Sequence, residues 1–81
     1  MSVDSQSGHY RAFYNDTDQA FTLNAMRESG GMVGTSWKFH MPDPMFNGMF
    51  RSMAFSEDEK ILLITRLDGS IVRWNIAQAR F

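Results

Sequence analysis

The sequence predicts a small β-rich α+β domain, and three observations carry that prediction. Two aliphatic, β-branched runs flank an Asp-Gly pair near the C-terminus. A Met/Phe stripe at helical spacing lies just before them. Short alternating runs, bounded by turn residues, fill the first half. The expected order is β-β-β-α-β-β, arranged as a small antiparallel sheet or a partly open barrel.

Residues 1–8, MSVDSQSG, are polar and are expected to form a disordered tail, which leaves 9–81 as a single small domain. His9–Tyr14 reads as a strand, and Asn15-Asp-Thr-Asp18 as a turn cluster. Phe21, Leu23 and Ala25 alternate with Thr22 and Asn24, which favours a second strand. Asp16 with Gln19 also fits the cap of a helix running to Gly30-Gly31, so residues 17–29 carry both readings. Glu28-Ser-Gly-Gly31 is a turn either way, and Met32–Met41 is a third strand ended by Pro42.

Met45, Phe46, Met49, Phe50, Met53 and Ala54 recur as apolar pairs every four positions. That spacing predicts a helix over 44–54, with Asp43 as its N-cap and Pro44 in its first turn. Ser56-Glu-Asp-Glu59 then turns the chain into a hairpin over 60–78. Asp68-Gly69 suits a two-residue loop, in which Leu67 faces Ser70. In that register Ile61, Leu63 and Thr65 share the core face with Val72, Trp74 and Ile76. The other face holds Leu62, Ile64 and Ile71 with Arg66, Arg73 and Asn75, and is apolar enough to need a cover.

Composition narrows the function. A chain of 81 residues is one domain or part of one. It buries roughly 60% of its surface on folding, which makes a lone core marginal. Hydrophobic residues at 43% and charged residues at 21% are a globular balance. Eight Lys/Arg against nine Asp/Glu leave a net charge of −1, so no bulk field draws the chain to nucleic acid or a membrane surface. No apolar run approaches the length of a membrane span. Cysteine is absent, which excludes disulfides and thiolate chemistry and fits a cytoplasmic setting.

Within Met53–Ile76, Ala54-Phe55-Ser56, the acidic turn, the aliphatic strand, Asp68-Gly69 and Ile71-Val72-Arg73-Trp74-Asn75 form one continuous pattern. It resembles a blade of a tryptophan–aspartate repeat β-propeller. A fainter copy runs from Phe13-Tyr14-Asn15-Asp16 through Gly31-Met32-Val33 to Trp37, and Trp37 and Trp74 lie 37 positions apart. The resemblance implies two propeller-like blades completed by oligomerisation, because a propeller needs at least about four. Asn75 stands where the family has its terminal aspartate, and no histidine precedes Phe55 at the usual distance. The family's buried histidine network therefore does not carry over.

No catalytic constellation is visible. His9 and His40 lack partners at metal-ligand spacing and read as surface or interface histidines. Ser36 is not in a nucleophile elbow. Gly30, Gly31 and Gly34 match no phosphate loop. The methionines alternate with phenylalanines, which suits a core or partner surface better than Cu(I). No enzyme activity, metal or cofactor is expected.

The expected function is a non-catalytic protein–protein interaction module: a small subunit of a larger assembly, or a small inhibitor of a larger machine of the kind phages direct at their hosts. Its partner is another protein or a second copy. The expected interface residues are Met45, Phe46, Met49 and Phe50 on the stripe and Arg66 and Arg73 on the hairpin. The alternative is a single-stranded nucleic-acid binder with an oligonucleotide-binding-like element order, using the net +3 of residues 60–81.

Overall fold

The computed structural model describes residues 1–26, 33–42 and 50–81. Seven strands are found among them: β1 Ser2–Asp4, β2 Tyr10–Asn15, β3 Ala20–Met26, β4 Val33–Phe39, β5 Phe50–Phe55, β6 Ile61–Arg66 and β7 Ile71–Asn75. They form two antiparallel sheets, β1-β2-β3-β4 and β5-β6-β7. None of the described residues is helical.

This corrects the α+β class. The sheets stay separate and neither closes, so the partly open barrel is also replaced, by an open two-layer packing. The expected helix fails where it can be seen. Its last turn is β5, paired with β6, while Asp43, Pro44, Met45, Phe46 and Met49 lie outside the described residues. The register of β5 slips between Phe50 and Ser52, so one extra residue, Arg51, is accommodated there. The bulge lets Phe50 and Met53, three positions apart, serve the same face. A strand with a bulge thus mimics helical spacing.

Residues 1–8 are not a free tail. Val3 pairs with Ala12, and the Tyr14 N–H donates to the Met1 carbonyl at 3.0 Å. The turn from β1 to β2 is repeated from β5 to β6. The Ser5 N–H donates to the Tyr10 carbonyl at 2.9 Å, and the Tyr10 N–H to Ser5 Oγ at 3.0 Å. The Ser56 N–H donates to the Ile61 carbonyl at 2.9 Å, and the Ile61 N–H to Ser56 Oγ at 3.1 Å. The fourth residue of each turn is left-handed: Gly8 at φ 82° and Glu59 at φ 58°. The alternation at Phe21–Ala25 does form a strand, β3.

The C-terminal hairpin has a longer loop than Asp-Gly alone suggests. The Arg66 N–H donates to the Ser70 carbonyl at 2.8 Å and the Gly69 N–H to the Arg66 carbonyl at 3.1 Å. The loop is therefore Leu67-Asp68-Gly69, with Gly69 at φ 90° in the bulge position. One extra loop residue shifts β6 by one against β7, and a shift of one exchanges the faces. Leu62 pairs with Trp74 and Ile64 with Val72. The core face is thus Leu62, Ile64, Val72 and Trp74, while Ile61, Leu63 and Thr65 lie opposite, reversing the expected β6 assignment.

The core lies between the sheets. Ala12, Phe21 and Leu23 come from the first sheet; Met53, Leu62, Ile64, Val72 and Trp74 come from the second. Aromatic rings bridge them. Phe39 of β4 stacks on Trp74 of β7 at 4.4 Å and 9°, Phe50 of β5 meets Phe21 at 5.1 Å, and Tyr10 stacks on Phe55 at 6.1 Å. At the sheet ends Glu59 accepts hydrogen bonds from Ser7 Oγ at 2.6 Å and the Ser7 N–H at 3.2 Å.

Candidate interaction surface

The two outward faces differ in chemistry. On the first sheet polar groups pair with one another. Arg11 meets Asp4 at 2.7 Å, Lys38 meets Asp18 at 2.8 Å, and Ser36 Oγ donates to Asn24 Oδ1 at 2.7 Å. Each arginine or lysine there lowers its carboxylate partner below the ordinary range. A face so satisfied gains little from a partner.

The second sheet is unlike it. Its outward face carries Ala54, Ile61, Leu63, Thr65, Ile71 and Arg73. Ile71 is 48% exposed, and Ile61 and Leu63 are half-buried. Leu63 lies across from Arg73, which puts that cation on the same face as the aliphatic side chains. The ion pairs of the described residues join Arg11 to Asp4 and Lys38 to Asp18, and Arg73 belongs to neither. This face combines apolar area with one cation able to orient a partner.

Of the expected interface residues that are described, Phe50 and Arg66 pair across β5 and β6, while Arg73 lies on the opposite face of the sheet. Arg73 is exposed on the outward face of β7. Arg66 is half-buried at the end of β6, and its backbone closes the hairpin loop. Phe50 turns inward, its ring 4.8 Å from Tyr14. Met45, Phe46 and Met49 lie outside the described residues. The sequence pattern puts Leu62, Ile64 and Ile71 on the surplus aliphatic face; of these only Ile71 lies there, with Ile61 and Leu63 in place of the buried Leu62 and Ile64. The loop length alone decides that Leu63, rather than Leu62, joins Ile71 outside.

The turn carboxylates serve the backbone. Asp68 accepts from Ser70 Oγ at 2.7 Å and the Ser70 N–H at 2.9 Å, which lowers its pKa. Asp58 does the same with Ser56 Oγ at 2.7 Å and the Lys60 N–H at 3.0 Å. His9 and His40 are both exposed. Among the described residues no three His, Cys, Asp or Glu side chains gather as a metal site would require. No helix among them is long and apolar enough to cross a membrane. Comparison with protein-family models, curated proteins and solved structures finds no match to the chain.

Proposed function

We propose that the chain is a non-catalytic protein–protein interaction module that docks through the outward face of β5-β6-β7. The observation that carries this reading is the contrast between the two outward faces. One sheet neutralises its exposed charges internally. The other leaves Ile71 48% exposed beside Arg73. An aliphatic cluster rimmed by a cation is the composition of an interface centre, where apolar area and arginine are enriched. The likeness of residues 53–76 to a propeller blade agrees with this reading, because blades bury both faces against neighbours.

The test places a photo-crosslinking side chain at Leu63 and, separately, at Thr22 on the outward face of β3. Crosslinking in cells should join the Leu63 position to one defined protein and leave the Thr22 position unlinked. Equal labelling from both sites would overturn the assignment of the face. Salt-sensitive binding of a single-stranded oligonucleotide, mapped to Arg73, would replace the reading with the nucleic-acid one.

A further inference from the structure

The outer edge of β7 differs from the matching edge of β3. The Arg66 N–H donates to the Ser70 carbonyl, and the Ile76 N–H donates to the Lys60 carbonyl at 3.0 Å. Alternation along an antiparallel strand then sends the backbone groups of Val72 and Trp74 toward β6, and those of Ile71, Arg73 and Asn75 away from it. Asn75 is satisfied there, by bonds of 2.7 and 3.3 Å with Arg80. Ile71 and Arg73 face an edge that carries no strand among the described residues. On β3 the outward positions Phe21, Leu23 and Ala25 are paired with Phe39, Trp37 and Thr35 of β4.

Two arguments select the occupant. A second copy adding its own β7, centred strand against strand, would set Arg73 opposite Arg73, and like charges directly opposed are unfavourable. The outward face spans three short strands, and an added strand at the β7 edge would extend the contact it offers. Strand addition also supplies backbone hydrogen bonds. Arg73 is exposed on β7 and belongs to neither ion pair found among the described residues.

From this edge and its charge we infer that β7 takes up an extended, acidic segment of another protein as an added strand. That strand sets a carboxylate opposite Arg73 and an apolar side chain opposite Ile71. The inference rests on the interaction-module reading and narrows it to an edge and a partner chemistry.

The experiment titrates the full chain with a synthetic alternating Val/Thr peptide bearing a central Glu, and with the same peptide bearing Lys. Amide NMR shifts are recorded. The Glu peptide should bind and move the Ile71 and Arg73 amides most. Arg73→Glu should cut its affinity by roughly fivefold, the scale of a cross-strand charge pair, and turn the preference toward the Lys peptide. Ile71→Pro deletes an outward N–H without touching the β6 ladder, so it should abolish binding while the Trp74 near-UV signal persists. Equal binding of both peptides, binding of neither, or shifts centred elsewhere would overturn the inference. A concentration-dependent dimer abolished by Ile71→Pro would overturn it in favour of a second copy. If the peptides fail while Leu63 still crosslinks to a protein, the edge inference falls and the outward-face reading stands.

Discussion

The first and second sheets use the same turn chemistry and end in different states. In both, a serine closes the first hairpin with its N–H and hydroxyl, and a left-handed residue follows three positions on. In both, one face enters the common core. The first sheet goes on to a fourth strand and a self-paired polar exterior. The second has three strands among the described residues and keeps aliphatic side chains outside. Shared local rules therefore build the hairpins, and what differs is how each sheet meets its surroundings.

The sharpest way to break this comparison is to swap a charge across β6. Leu62→Asp puts a carboxylate into a site with no exposure and should unfold the chain. Leu63→Asp, one position along, should leave a folded protein by circular dichroism. If Leu63→Asp unfolds the chain and Leu62→Asp does not, the faces are reversed. Trp74→Ala removes a buried ring stacked on Phe39 and should cost roughly 3–5 kcal/mol, read from urea unfolding. That is most of the stability expected of a domain this small.

Gly69→Val should cost about 1–3 kcal/mol. The cause is conformational, because a Cβ at Gly69 would meet nothing within 4 Å and φ is +90°. Gly69→Asn should recover much of the loss, since asparagine tolerates the left-handed region. An equal loss for both variants would point to packing instead of backbone strain. Arg73→Ala should change stability by less than about 0.5 kcal/mol, as an exposed surface change does.

The smallest expected effect is acid sensitivity. Asp58, Glu59 and Asp68 are held below the ordinary carboxylate range, chiefly by serine hydroxyls: Ser56, Ser7 and Ser70 respectively. A carboxylate lowered in the folded state binds fewer protons there than in the unfolded chain. Its stabilisation is present above the unfolded pKa and is lost as pH falls through the folded one. Unfolding midpoints should therefore decline below about pH 4, and Ser7→Ala should flatten that decline. A midpoint that rises on acidification would contradict the sign.

Much of the second sheet was legible in the residues, and the part that was not has a local cause. Val72, Trp74 and Ile76 are buried, as the alternation of β7 indicates. The partner face on β6 depends on one loop residue, which Asp68-Gly69 leaves open because the pair serves both two- and three-residue loops. Over residues 50–54 the Met/Phe stripe misled, because the bulge at Arg51 gives that strand the spacing of a helix. The polar N-terminus hid β1, which pairs with β2 and packs a single apolar side chain, Val3, against the core. The outward aliphatic face was foreseeable as a surplus, but its members were fixed only by the register.

Amide hydrogen exchange in β7 tests the open edge directly. In the free protein the Ile71 and Arg73 amides should exchange fast and the Val72 and Trp74 amides slowly, while Phe21 and Leu23, paired with β4, should be protected throughout. Adding the Glu peptide should slow Ile71 and Arg73 alone. Protection of Ile71 and Arg73 in the free, monomeric protein, equal to that of Phe21 and Leu23, would show that the edge is already closed and would contradict the proposed mode of binding.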